Sequence, residues 1–156
     1  MTSPADRARR PLLLTGFGLG AFADGIVLHQ VLQWHHLVVE YRSADDLEGL
    51  EVNTLWDGLF HVGAWLVVVA GLLWLLIGRS PPAALGLRRV TGHLLIGWGA
   101  FHVVDQVVFH LLFAAHHIRM VEDYQLYDWG YTAIGVVLIA IGLRLVRGTL
   151  ASLVRR

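Results

Sequence analysis

Four long apolar stretches dominate the pattern of hydrophobic and polar positions along the chain. They cover residues 12 to about 34, 55–77, 93–115 and 129 to about 146. Each is close to the roughly 20 residues that a helix needs to cross a hydrocarbon core about 30 Å thick. Strands are disfavoured because the stretches lack period-two alternation and a single strand leaves its backbone groups unpaired in lipid. The pattern predicts an all-α protein, an integral membrane four-helix bundle that forms one domain over residues 1–156.

The composition supports a membrane protein and excludes several kinds of site. Of the residues, 56% are hydrophobic and only 15% are charged, against about 45–50% and 25% in soluble domains. The absence of cysteine excludes disulfides and thiolate metal sites. We expect the lipid bilayer as the main partner and no nucleic acid. The nine histidines are then the unusual feature of the chain.

The basic residues are divided unevenly between the two ends of the predicted helices. All twelve are arginine, and only Arg42 and Arg119 follow the first and third apolar stretches. The others flank the opposite ends: Arg7, Arg9, Arg10, Arg79, Arg88, Arg89, Arg144, Arg147, Arg155 and Arg156. The positive-inside rule therefore predicts a multi-pass protein of the bacterial inner membrane with both termini in the cytoplasm. A cleaved signal peptide ending at residues 21–23 is the alternative, but cleavage there would cut through a repeated unit.

The first and third apolar stretches carry the same polar pattern at the same spacing. Each has a Gly-aromatic-Gly element, an aspartate, a histidine and a pair of adjacent histidines. The equivalent positions are Gly16-Phe17-Gly18 with Gly97-Trp98-Gly99, Asp24 with Asp105, His29 with His110, and His35-His36 with His116-His117. Asp57 and Asp128 start the second and fourth stretches, whereas His61 is matched by Thr132. The pattern predicts two parallel two-helix repeats, over about 12–77 and 93–146, with the first and third helices at the centre.

The intramembrane aspartates and histidines predict a polar site. A carboxylate at the centre of a membrane helix costs about 2.5–3.5 kcal/mol, so it needs a partner or a function. With α-helical geometry throughout, His29, His61 and His110 share one depth and form the main predicted ligand set. The full set of predicted metal ligands is His29, His61, His110, His35, His36, His116, His117, Asp57 and Asp128. Deeper in the membrane, Asp24, Asp105 and His102 are predicted to orient the imidazoles or to carry protons.

Imidazole and carboxylate donors without thiolates suit copper(II), iron or zinc. The sequence therefore predicts a membrane-embedded metal site that opens to the non-cytoplasmic side, in a metalloenzyme, a redox protein or a metal-delivery factor. It assigns no reaction. Two alternatives stay open: a haem with His29 and His110 as axial ligands, and a proton-handling or structural subunit without metal. A homodimer or a respiratory membrane protein is the expected protein partner, the former because of the glycine-rich helix faces.

The Asp-x4-His-x5-His-His pattern at residues 24–36 and the Asp-Gly-x-x-His pattern at residues 57–61 carry a resemblance. Over residues 12 to about 146 the chain resembles a bacterial family of four-helix membrane proteins of unknown function. The resemblance implies the same fold and marks a polar signature: Asp24, His29, His35, His36, Asp57, His61, Asp105, His110, His116 and His117. It implies no activity. The layout is also similar to that of small membrane factors of cytochrome oxidase assembly, which is the basis for a link to respiration.

Overall fold

The computed structural model describes residues 4–78 and 82–153, which contain four long helices. Helix α1 spans Pro4–Asp24 and continues as a π-helix over Gly25–Val31, and α2 spans Leu47–Ile77. After a short 3-10 turn at Pro82–Leu85, α3 spans Leu87–Asp105 and continues as a π-helix over Gln106–Leu112. Helix α4 spans Tyr124–Leu153. All four are long and apolar enough to cross a membrane, so the predicted all-α membrane bundle is confirmed.

Helices α1 and α3 form the centre of the bundle. They pack against each other, while α2 packs principally on α1 and α4 on α3. Large apolar side chains such as Leu59, Trp65 and Ile134 cover the outer faces of α2 and α4 and are exposed. Because lipid is the solvent around these faces, their exposure is the expected state. The predicted position of the first and third helices is therefore confirmed.

Two glycines let α1 and α3 approach backbone to backbone. A Cβ atom at Gly16 would lie 2.2 Å from the Leu94 carbonyl oxygen, and one at Gly97 would lie 2.1 Å from that of Leu13. Gly16 and Gly97 are equivalent positions of the two halves, as are Leu13 and Leu94. The contact is thus reciprocal, which is the signature of a pseudo-two-fold axis between the halves. These glycine faces, which suggested a homodimer, pack inside the bundle.

We expect Gly97→Ala to destabilise the bundle strongly, since the added methyl group meets backbone that has no rotamer to change. Overpacking of this kind costs about 1–3 kcal/mol or more. The measurement is the midpoint of thermal unfolding in mild detergent. The matched control is Gly63→Ala on α2, where a Cβ meets nothing within 4 Å. Equal midpoints for the two variants would contradict the close α1–α3 crossing.

The helices extend beyond the apolar stretches at their water-facing ends. Helix α2 begins at Leu47 and not at residue 55, because the Asp46 carboxylate caps it by accepting a 2.7 Å hydrogen bond from the Gly49 amide. Likewise, α3 and α4 begin at Leu87 and Tyr124, before the predicted residues 93 and 129. Hydropathy marks only the part of a helix that lies in lipid. Three of the arginines used in the prediction of topology lie outside the described residues: Arg79, Arg155 and Arg156.

The outer ends of α1 and α3 contain the largest departure from prediction. Continuous α-helices were expected to about residues 34 and 115, but π-helical turns follow Asp24 and Asp105. At the end of the first, the Leu32 amide donates to the Val27 carbonyl, five residues earlier, at 2.8 Å. Positive φ angles at Gln33 and Ala114 then turn the chain out of the helix. The predicted placement of the histidine pairs on the α1 and α3 helices is therefore wrong: they lie on the loops that follow.

Candidate metal centre

The carboxylate of Asp57, fully buried near the outer end of α2, organises the first half of the site. One of its oxygens accepts from His29 Nδ1 at 2.8 Å and from the Leu37 amide at 2.9 Å. The other accepts from His36 Nδ1 at 2.7 Å. Asp57 thus fixes the ring of His29 and holds the loop that carries the histidine pair. A carboxylate that orients a histidine in this way is typical of the surroundings of metal ligands.

Asp128 on α4 does the same in the second half. Its Oδ1 accepts from the Ile118 amide at 2.9 Å and lies 3.2 Å from His110 Nδ1, while its Oδ2 accepts from His117 Nδ1 at 2.8 Å. Asp57 and Asp128 therefore make equivalent hydrogen bonds to the histidine pair and the backbone, whereas His110 approaches Asp128 without the hydrogen bond that His29 makes to Asp57. Each outer helix contributes one carboxylate that anchors a histidine of the neighbouring inner helix.

The first histidine of each pair reaches across to the other half. His35 Nδ1 donates to the Ile118 carbonyl at 2.9 Å, and His116 Nδ1 donates to the Leu37 carbonyl at 3.0 Å. The two imidazole rings stack in parallel, with centroids 4.4 Å apart and 4° between their planes. Both side chains are buried. The pseudo-two-fold axis passes between them, so the centre of the network belongs equally to both halves.

The two inner aspartates lie below the histidines on α1 and α3. Asp24 Oδ2 is 3.4 Å from His29 Nε2, and Asp105 Oδ2 is 3.3 Å from His110 Nε2. Both carboxylates are buried. Asp24 has one further partner, because the Tyr131 hydroxyl donates to its Oδ1 at 3.0 Å. The inner aspartates therefore face the Nε2 side of the same imidazoles whose Nδ1 side faces Asp57 and Asp128.

Three groups of side chains are close enough to share a metal ion. In each, three ligand atoms lie within 4.8 Å of one another. The groups are His29 with His35 and His116, Asp105 with His110 and His116, and His110 with His117 and Asp128. His116 belongs to the first two groups. The arrangement therefore offers two adjacent positions, one toward each half, that share an imidazole.

The proton positions on these imidazoles follow from their partners. A carbonyl or carboxylate oxygen only accepts, so His29, His35 and His116 each carry a proton on Nδ1. In the neutral ring Nε2 then has a free lone pair. Burial lowers the pKa of His35 to about 4 and lowers the pKa of His116 well below its usual range, so both rings are neutral at neutral pH. Nε2 of His35 therefore faces Nε2 of His29, and Nε2 of His110 faces the Asp105 carboxylate.

The lone pairs at the centre lack enough hydrogen-bond donors. His29 Nε2 and His35 Nε2 are only 2.9 Å apart, so a proton or a metal ion must lie between these two atoms. In the second half, Asp105 Oδ2, both ring nitrogens of His110 and His116 Nε2 are buried and make no hydrogen bond within residues 4–78 and 82–153, although Asp105 Oδ2 and His110 Nε2 lie 3.3 Å apart. Buried polar atoms are rarely left unsatisfied. The donor set therefore fits a bound cation in each half.

Two predicted site histidines lie apart from this centre. His61 uses Nδ1 to bond the Asp57 carbonyl of its own helix at 2.7 Å, and its ring lies near Phe22. None of the three groups above contains it, so the structure does not bring His29, His61 and His110 together as one ligand set. His102 accepts from the Trp98 indole at 3.1 Å and stacks on Tyr131. It therefore lies on the α4 side of α3.

Tyr131 is the site residue that the sequence analysis missed. Its equivalent in the first half is Phe60, so an alignment of the two repeats marks it as a hydroxyl gained next to Asp128. The backbone acceptors at Leu37 and Ile118 were also missed. No sequence signal identifies them, since any residue supplies a carbonyl.

Two further imidazole rings lie between His29 and His110, the axial ligands of the haem alternative. The stacked rings of His35 and His116 occupy that space, with His29 and His35 centroids 4.4 Å apart and His110 and His116 centroids 4.7 Å apart. A porphyrin between the two proposed axial ligands would have to displace both rings. A haem held by His29 and His110 would therefore require the two histidine pairs to rearrange.

Comparison with known proteins places the chain in a family. The family model described as "Predicted membrane protein (DUF2243)" matches residues 12–149. This range includes all of the His and Asp residues of the network. No curated protein and no solved structure matches the chain.

Proposed function

Since the chain belongs to this family of membrane proteins, we propose that the shared fold serves to hold a transition-metal centre within the membrane. The ligands are His29, His35, His110 and His116, with Asp24 and Asp105 completing the two positions. His36, His117, Asp57 and Asp128 hold these imidazoles in place, and the group of His110, His117 and Asp128 offers a further position toward the outer surface.

One observation carries this proposal: buried imidazoles and carboxylates lie close enough to share a metal ion, where buried acceptor atoms lack hydrogen-bond donors. Nitrogen and oxygen donors without sulfur favour zinc, iron or copper(II) over copper(I). Metal–nitrogen bonds of about 2.0–2.1 Å, typical of zinc sites, are compatible with ligand atoms a few ångströms apart. A metal ion there would supply Lewis acidity or, for iron and copper, electron transfer.

We propose a resident centre of a metalloenzyme or redox protein, in preference to a delivery site. Delivery requires a ligand that a partner can reach, whereas His29 and His116 are almost fully buried and tied by Nδ1 hydrogen bonds. Such anchoring reduces the cost of ordering ligands when metal binds and slows metal release. A role in respiration and a respiratory membrane partner belong to the same proposal.

The test is elemental analysis, with a visible spectrum, of protein purified in mild detergent without added metal. We expect copper, iron or zinc in a fixed stoichiometric amount that survives dialysis. Protein that is folded and free of all three metals would overturn the metal centre.

Proton handling is a second candidate, favoured by the 2.9 Å contact between His29 Nε2 and His35 Nε2. A proton shared between these atoms also removes the repulsion between their lone pairs. The carboxylates of Asp24 and Asp105 would then be the neighbouring proton acceptors, at 3.4 and 3.3 Å from the imidazoles. Metal-free protein that takes up protons at the network would support this candidate.

We propose that the His/Asp network faces the non-cytoplasmic side of a bacterial inner membrane, with both termini in the cytoplasm. The network lies at the end of the bundle opposite Arg9 and Arg89, in agreement with the positive-inside rule. In the cysteine-free chain, Asp46→Cys and Glu122→Cys should therefore react with an impermeant maleimide added to intact cells. A cysteine placed at Arg89 should react only after lysis. Labelling of Arg89→Cys in intact cells would reverse the orientation.

A further inference from the structure

A cavity of about 470 Å³ lies between α1, α3 and α4, beside the candidate centre. Apolar side chains form most of its wall, among them Val27 on the outer part of α1 and Ile134 on α4. Both of these side chains are about half exposed, at 45% and 55%. Because they belong to membrane-spanning segments, the cavity opens sideways into the lipid. A ligand would enter it from the bilayer.

The inner end of this cavity is polar and reaches the centre. It is lined by Asp24, Tyr131 and His102. The Tyr131 hydroxyl donates to Asp24 Oδ1 at 3.0 Å, and the other oxygen of Asp24 lies 3.4 Å from His29 Nε2. A head group that contacts Asp24 would therefore be separated from the proposed metal position by one carboxylate.

The two halves of the protein differ at this cavity. Its aromatic and polar lining residues Trp98, His102 and Tyr131 are matched in the other half by Phe17, Ala21 and Phe60. Among the polar lining residues, the aspartate is kept, as Asp24 on one side and Asp105 on the other. The repeat is otherwise followed closely by the residues of the network. The loss of symmetry at one cavity indicates a function that only this side performs.

The lining selects the chemistry of a ligand. Asp24 and the Tyr131 oxygen are acceptors, so the head group should donate a hydrogen bond, and the carboxylate disfavours an anionic head. The rings of Tyr131 and His102 stack with centroids 4.0 Å apart and form a flat aromatic wall that suits another ring. The apolar remainder of the cavity suits a hydrocarbon chain.

We propose that this cavity binds a lipid-soluble phenol or quinol, with its hydroxyl group at Asp24 and Tyr131 and its apolar tail toward the bilayer. The proposal deepens the function proposed above, because it names the substrate class of the same centre. Binding itself depends on the cavity and not on the metal, so the two proposals can fail separately.

The probe is 4-dodecylphenol in nanodiscs of phosphatidylcholine, with dodecylbenzene and dodecanoate as tail-matched controls. The measurement is the mole fraction of probe that gives half of the maximal rise in the thermal unfolding midpoint, since a ligand of the native state stabilises it. One hydrogen bond from the hydroxyl should make the phenol bind about threefold to tenfold more tightly than dodecylbenzene. Dodecanoate should bind no better than dodecylbenzene. Equal effects of phenol and dodecylbenzene on the wild-type protein, or no effect of either, would overturn the proposal.

Two variants locate the binding site. Ala23→Trp fills the cavity and should weaken 4-dodecylphenol binding by about tenfold or more, whereas the equivalent Val104→Trp in the other half should leave it unchanged. Tyr131→Phe introduces the residue found at the equivalent position of the other half, Phe60, so the variant should fold. It should reduce the preference for 4-dodecylphenol over dodecylbenzene. Unchanged binding in both Ala23→Trp and Tyr131→Phe would place the probe elsewhere and overturn the proposal.

Metal content is measured in the same samples. If the protein retains its metal but binds 4-dodecylphenol and dodecylbenzene equally, only the cavity proposal is overturned. If the protein binds the phenol selectively but contains no metal, only the proposal of a metal centre is overturned.

Discussion

Replacing His116 with alanine should remove most of the metal bound to the purified protein. This side chain is shared by the group of His29 and His35 and by the group of Asp105 and His110. Its removal therefore takes a ligand from both positions at once, and the stack with His35 is lost as well. We expect the metal-to-protein ratio to fall by about tenfold or more, since loss of a direct ligand exceeds the 10–100-fold effect of losing a residue that only orients one. Elemental analysis of detergent-purified protein is the measurement.

Two histidine variants serve as matched controls for this experiment. His93→Ala should keep the wild-type metal content, because His93 lies at the arginine-rich end and bonds the Arg89 carbonyl of its own helix. His61→Ala should keep most of it, because His61 belongs to none of the groups. If His61→Ala loses its bound metal while His116→Ala retains it, the ligand set of His29, His61 and His110 predicted from the sequence is the correct one.

Replacing Asp57 with alanine should destabilise the protein by about 3 kcal/mol or more, because each buried donor left without its acceptor costs about 1–3 kcal/mol. The change leaves three donors without an acceptor: His29 Nδ1, His36 Nδ1 and the Leu37 amide. The loop that carries the histidine pair would lose its attachment to α2. The measurement is the unfolding midpoint in mild detergent, at a pH near 7.

Asp46→Ala is the control for this second variant. Asp46 lies immediately before the same helix and is exposed. The hydrogen bond from the Gly49 amide is the main reason that the pKa of Asp46 lies below its usual range, and Arg42 adds to this effect. Loss of a helix N-cap costs about 0.5–2 kcal/mol. A loss of stability for Asp57→Ala no larger than that for Asp46→Ala would show that the buried carboxylate does not hold the site together.

The fold was predictable because its causes are local and repeated. A hydrocarbon core sets the length of each apolar stretch, and the matched spacing around Asp24 and Asp105 identified the two inner helices. Helix ends were predicted less well. The cap at Asp46 and the positive φ at Gly86 determine where α2 and α3 begin, and both lie outside the apolar stretches.

The residues that form the site could be predicted from the sequence, but the contacts between them could not. The residues that form the network were identified from their type and spacing, but their partners depend on the π-helical turns and on the chain reversals at Gln33 and Ala114. Neither residue is a glycine, so nothing in the sequence marks the reversals. With α-helical geometry His35 stays on its helix, whereas in the structure it leaves α1 and meets the Ile118 carbonyl of the other half. Tertiary contact here overrides the local periodicity.

The pseudo-two-fold axis has a consequence for how the protein could arise and diverge. A chain of one repeat, paired with an identical copy about the same axis, could make the reciprocal contacts of Gly16 and Gly97 and those of His35 and His116. In such a dimer every substitution occurs twice. Joining the two copies in one gene removes that constraint, so Tyr131 can replace phenylalanine on one side while Phe60 remains on the other. Covalent fusion is thus what allows the residues that line the cavity beside Asp24 to differ from their equivalents in the other half.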